Sequence, residues 1–309
     1  MAYKFFNIVK FVYRDTVQRF SAADPIVYSA AIAFFTIFSM PSILFIVVRL
    51  GSILIGPEKV RYEVERQVTE KIGYEAAEQV LSVIEAGYEW GDNPGARLFS
   101  ILLLLFTATV VFNFVKKALN SIWNVKPKPK RGWVKFLIDR GLSILAILFA
   151  GTMLVAGLVM DAVLSFFQDT LTNQLFGLTP YLTRLLQFLV SYWLVTCVFV
   201  FLFKYLPDIK SPWKPIWVGA MITGGLFTLG KFIIARIISS VSVTSAYGAA
   251  GSLAAVLLWV FYSSVTILLG AIFTKIYFLH LGYTVEPNSN AVGIEIKEIE
   301  RPEKAPELP

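Results

Sequence analysis

The sequence predicts an all-α integral membrane protein with about six transmembrane helices, both termini cytoplasmic, and an external amphipathic helical segment. Three observations carry this. Of the 309 residues, 56% are hydrophobic and only 16% charged, whereas soluble domains run at about 45–50% apolar and about 25% charged. The apolar residues come in blocks of roughly 20, the length that crosses a bilayer core as a helix. Lysine and arginine gather in alternate connections between those blocks.

Residues 1–27 form the first element. Lys4, Lys10, Arg14 and Arg19 interrupt any apolar core, so a signal peptide is not read here. Phe5, Phe6, Ile8, Val9, Val12 and Phe20 fit an amphipathic helix on the cytoplasmic membrane surface, or a plain helix packed on the protein. The transmembrane domain covers 28–280. Its first span, 28–50, follows Asp24-Pro25, an N-cap residue with a proline in the first turn, and is charged only at Arg49. The second span is 98–115, and the third, 141–167, carries Asp161. The fourth is 185–203, with Arg184 at its start; the fifth, 215–240, contains Lys231 and Arg236; the sixth, 252–274, has no charge. Backbone hydrogen bonds must be satisfied internally in lipid, so these segments are helices. Between spans one and two, the insert 57–90 places Val60, Val64, Val68 and Ile72 four apart, the spacing of an amphipathic helix that Gly73 would break before a second one. Residues 281–309 end in a stretch rich in Pro, Glu and Lys and read as a disordered cytoplasmic tail.

Charge sets the orientation. The N-terminus holds four lysines and arginines, the 116–140 loop eight, the connection between spans four and five three, and the segment after span six four. The 52–95 segment has four, against nine acidic residues, and 241–250 has none. Both termini and the basic loops are therefore expected in the cytoplasm. The formal charge of +7 then follows membrane topology, and no nucleic-acid partner is expected.

Three stretches resemble the YihY/BrkB family of bacterial inner-membrane proteins: YSAAIAFFTIFSMPSILF from Tyr28 to Phe45, KYLPDIKSPWKPIWVGA from Lys204 to Ala220, and YGAAGSLAAVLLWVFYSSVTILLGAIFTKIY from Tyr247 to Tyr277. The resemblance implies six spans in the bacterial cytoplasmic (inner) membrane. Members have been labelled ribonuclease BN, and some are linked to serum resistance or envelope lipid transport. One departure is visible. The family pattern often reads Gly-Ala-Glu near the end of span six, and here it reads Gly270-Ala271-Ile272, so no role of that glutamate carries over.

The residues argue against the ribonuclease label, and no enzyme is expected. Nuclease chemistry needs an acid–base pair or clustered carboxylates holding metal ions. The chain has one histidine, His280, and one cysteine, Cys197. Its cytoplasmic acidic residues, Asp15, Asp24, Asp139 and Asp208, fall in separate segments without motif spacing. No metal and no cofactor are expected, and no Walker motif occurs. Gly224, Gly225 and Gly230 in span five, Ala30, Ala31 and Ala33 in span one, and Gly251 and Ala255 in span six read as close-packing positions. Pro41 is expected to kink span one. The sharper signal is charge inside the membrane, which is costly. Arg49, Asp161, Arg184, Lys231 and Arg236 all fall in the outer half or at the outer surface. Converging, they would bind a carboxylate or phosphate; separately, the cations would snorkel to headgroups. Lys231 is the deepest, and Asp161 is its expected ion-pair partner. The expected function is a transporter or lipid-handling protein for an anionic or amphipathic substrate, working among membrane lipids. The alternative is a scaffold or assembly factor for envelope proteins. The oligomeric state is left open.

Overall fold

The computed structural model describes residues 16, 24–72, 78, 81–82, 94–128, 132–171, 179–240 and 249–295. Each of the six apolar stretches lies inside one long helix. These are α1 (Pro25–Ile55), α3 (Pro94–Ile122), α4 (Gly132–Leu171), α5 (Thr179–Tyr205), α6 (Trp213–Ser240) and α7 (Ala249–His280), with α2 (Pro57–Ile72) between the first two. Among the described residues four segments are long and apolar enough to cross a membrane: Gly132–Gly157, Thr183–Tyr205, Trp213–Ile234 and Val256–His280. A shorter apolar helix covers Pro25–Ser39. The expected 1–27 helix lies outside the described residues apart from Thr16 and residues 24–27, where α1 has already begun at Pro25, and most of the second half of the 57–90 insert lies outside them too. The described half is α2, which buries Val60 against the bundle as its four-residue spacing requires.

The long helices pack as neighbours around a ring. α1 lies against α3 and α7, α7 against α6, α6 against α5, α5 against α4, and α4 closes on α3 and α1. Aromatic pairs mark several of these seams. Phe35 of α1 stacks on Phe114 of α3 with centroids 4.2 Å apart, and Phe149 of α4 stacks on Phe201 of α5 at 4.7 Å. Offset stacking of this kind adds to the packing energy of the rings.

The α6–α7 seam shows why small residues are placed where they are. Thr223 of α6 occupies the space above Gly270 of α7, and Thr274 of α7 occupies the space above Gly219 of α6. Each threonine hydroxyl donates to the carbonyl four residues back on its own helix, Gly219 at 2.7 Å and Gly270 at 2.6 Å. The arrangement is reciprocal: a Gly-x-x-x-Thr on each helix supplies both the notch and the knob. A third notch at Gly230 takes the ring of Tyr262, whose hydroxyl donates to the Leu226 carbonyl at 2.9 Å. Without a hydrophobic drive between helices in lipid, such close approach and hydrogen bonding hold the bundle together.

The basic ends of all these helices meet, and a short cap covers them. β1 (Val125–Pro127), between α3 and α4, pairs antiparallel with β4 (Ala291–Gly293). β2 (Ile209–Lys210), between α5 and α6, pairs with β3 (Glu286–Pro287). Gly282, at φ 82°, reverses the chain after α7 so that it can return over these loops. Trp123, Val125, Ile209 and Phe278 form a small apolar core beneath the strands. The tail expectation is corrected here: residues up to Glu295 are folded onto the loops, where β4 and β3 pair with the main-chain groups of β1 and β2. Residues 296–309 lie outside the described part.

Candidate functional site

The most heavily built polar site lies under this cap. Asp208, in the turn after α5, is buried, and its Oδ1 accepts from Lys135 Nζ of α4 at 2.6 Å. Lys116 Nζ of α3 stands 3.1 Å from the same oxygen. Asp208 Oδ2 accepts from Asn120 Nδ2 at 3.0 Å, while the Asp208 backbone N–H donates to Asn120 Oδ1 at 2.8 Å. Asp139 of α4 completes the group, with Oδ1 at 2.7 Å from Lys116 Nζ and 3.3 Å from Lys135 Nζ. Two cations and two anions thus close on each other with no net charge. Burial alone pushes the Asp208 carboxyl up. The hydrogen bond from Lys135 and the charge of Lys116 overcome that and hold it below its ordinary value. Asp208 also accepts a main-chain bond from Asn288 at its carbonyl, 2.9 Å, tying the network to the returning C-terminal segment.

In sequence, Asp139 and Asp208 looked isolated. The fold brings them together through lysines from two helices, across a separation of 73 residues for the Lys135–Asp208 bond. A third buried lysine, Lys275 of α7, donates to the Ile122 carbonyl at the end of α3, 2.6 Å away. Beside it a cavity of about 440 Å³ opens between α3, α7 and β4, lined by Trp123, Lys275 and Glu295 among others. Among the described residues no group of three His, Cys, Asp or Glu side chains converges as metal ligands would.

The charges singled out in the outer half fare differently. Arg49 and Asp161 lie on α1 and α4, but their side chains fall outside the described part of the structure, so the expected Lys231–Asp161 pair does too. Arg184 is exposed near the start of α5. Lys231 and Arg236 are both exposed on α6, and Arg236 has an interaction partner. Their faces differ. A side chain at Gly224 would meet Thr196 of α5 at 2.8 Å, and Phe227 packs on Phe199 of α5 and Trp259 of α7, with centroids 5.6 and 5.7 Å apart. Lys231 is seven residues from Gly224 and four from Phe227, so it continues this bundle-facing side. Its ammonium lies 5.9 Å from the neighbouring Phe232 ring. Arg236 shares the other side with Leu229, Phe232 and Ile233, all more than half exposed. At the position of the family's glutamate, Ile272 is buried in the apolar core.

Long apolar helices around a glycine-notched seam, closed at the basic end by strands and a neutral ionic network, define a multi-pass helical protein of the bacterial inner membrane. A family described as Virulence factor BrkB matches residues 16–291, and the chain belongs to it. Among curated relatives, a UPF0761 membrane protein of Glaesserella parasuis is 24% identical over 71% of this chain and 74% of its own. Another from Delftia acidovorans is 27% identical over 64% of this chain and 45% of its own, and one from Teredinibacter turnerae 29% over 57% and 39%. Most of these relatives are longer, and the chain spans under half of the latter two. No solved structure matches the chain.

Proposed function

We propose that this protein is a transporter or lipid-handling protein, in which an anionic or amphipathic substrate reaches Lys231 from the outer side. The supporting observation is the position of Lys231. It continues the bundle-facing side of α6 beyond Phe227, yet it is exposed. Its ammonium reaches the ring of Phe232, at the edge between this side and the lipid side. A cation on an open bundle face takes its counter-charge from whatever enters, and a carboxylate or phosphate is the natural match. Arg49, Asp161 and Arg184 remain candidates for the same site, whereas Arg236 lies on the lipid side of α6, and the positive-inside bias predicts that the basic end is cytoplasmic. Neither bond making nor a cofactor enters this reading.

One observation favours the scaffold reading instead: each buried lysine of the basic end is bonded to protein groups. A photo-crosslinking residue at position 231, irradiated in living cells, separates the two. The transporter reading predicts adducts of lipid or another small amphiphile at higher yield than from position 229, the lipid-side control. Adducts to another protein alone, or equal lipid yields at the two positions, would favour the scaffold.

A further inference from the structure

Arg140 was counted in the sequence only as one more basic residue of a cytoplasmic loop, and the structure gives it a different setting. On α4 it follows Asp139, whose Oδ1 is taken by Lys116 of α3. A snorkelling arginine at this level would extend toward the basic end. Arg140 extends the other way: its Nη1 donates to Thr109 Oγ1. Thr109 lies seven residues before Lys116 on α3, about 10 Å further into the membrane at 1.5 Å per residue. The guanidinium is flanked by two rings, Phe106 of α3 at 4.0 Å and Phe136 of α4 at 5.2 Å. Both rings are more than half exposed, so the groove between α3 and α4 opens outward to lipid. Leu102 and Leu137, also exposed, continue the apolar surface on either side.

Thr109 satisfies one of the five N–H donors, and among the described residues no carboxylate stands within ion-pair distance of Arg140. The Thr109 hydroxyl spends its own proton on the Phe106 carbonyl at 2.8 Å, which fixes its lone pairs toward the arginine. The result is a cation oriented by three neighbours, at membrane depth, with a fork of free donors. A guanidinium is unusual among cations in matching a phosphate with paired hydrogen bonds. Basic pockets between spanning helices on the cytoplasmic side are where such headgroups are held.

We propose that the α3–α4 groove at Arg140 binds the phosphate of an anionic phospholipid from the leaflet at the basic end, with Phe106 and Phe136 against the headgroup and Leu102 and Leu137 against its chains. The site is separate from Lys231 and does not rest on the transport reading.

The test uses the full chain in detergent, titrated with dioleoyl-phosphatidylglycerol or dioleoyl-phosphatidylcholine and read by native mass spectrometry. The anionic lipid should be retained in preference. Arg140→Gln should weaken its retention about 10-fold to 100-fold, the value of hydrogen bonds to a charged group. Arg140→Lys keeps the charge but loses the fork, and should fall between; it also serves if Arg140→Gln does not fold. Lys117→Gln, removing an exposed cation of the same end, should change nothing. Excess inorganic phosphate should not displace the lipid. Unchanged retention in both Arg140 variants would overturn the proposal. Equal loss in Lys117→Gln would reduce the effect to surface charge, and displacement by inorganic phosphate would show a free-anion site instead.

Discussion

At the basic end, Lys116 and Lys135 lie buried, and each has carboxylates within 3.3 Å or less. On α6, Lys231 stands exposed on a side that is packed shut only four residues earlier, at Phe227. The same ammonium group is thus treated in opposite ways. Where the bundle is sealed, a lysine is tolerated because fixed anions surround it, Asp208 itself being held by Asn120, and the whole network has no net charge. Where the bundle side is open, no such fixed shell is described around the lysine, and its counter-charge is left to the surroundings. Burial with full pairing marks the part of the molecule that holds shape. On the proposed reading, an exposed cation on a packing face marks the part available to a ligand.

The largest effect should come from breaking the sealed end. Asp208→Ala leaves two buried lysines short of an anion and should destabilise by about 3–5 kcal/mol, read as a lower melting temperature in detergent and lower yield. A loss below about 1 kcal/mol would mean that water reaches the cluster and that the two ends are not distinct. Next come the notches of the α6–α7 seam. Gly270→Leu drives a side chain into Thr223, and Gly219→Val drives one into Thr274. Each should cost about 1–3 kcal/mol by overpacking, while Gly225→Ala, with open space around it, should be nearly silent in the same melt.

The pH response sharpens the contrast. The Asp208 carboxyl is held below its ordinary value of 3.8. A depressed carboxyl contributes stability that is full above the ordinary value and is lost as pH falls through the lower, folded one. Melting temperatures should therefore show no component from this network between about pH 5 and 8, with loss only below about pH 4. A transition near pH 6 that disappears in Asp208→Asn would contradict the pairing. The smallest effect belongs to the lipid side: Leu229→Ala should shift stability by about 0.5 kcal/mol or less.

Much of this architecture was legible in the sequence because it rests on local patterns. Each apolar stretch became one long helix, and the four-residue spacing at Val60 fixed the inward side of α2. Pro25 opens α1 as expected, but Asp24 stands in the left-handed region at φ 45° and its side chain makes no capping bond. Glycines in span five were read as packing positions, and Gly224 and Gly230 are, although Gly225 meets nothing within 4 Å. The ionic network was not legible. Its members come from α3, α4 and the turn after α5, and the Asn120–Asp208 bond joins residues 88 apart. Counting charges by loop assigns them a side of the membrane but no partner. Arg140 was missed for the same reason, since only the position of Thr109 on a neighbouring helix shows that the guanidinium turns inward. The pairing of β3 and β4 was hidden because such short strands carry no periodicity of their own.

The contrast between the sealed end and the open side of α6 is tested most directly by thiol accessibility along that helix. With Cys197, the single native cysteine, replaced by alanine, cysteines are placed in turn at Phe227, Leu229 and Lys231. Intact cells then receive a charged, membrane-impermeant thiol reagent. Lys231→Cys should react, while Phe227→Cys, within the packed seam, and Leu229→Cys, facing lipid, should not. An unreactive Lys231→Cys, or equal reaction at Leu229→Cys, would contradict an open face at Lys231.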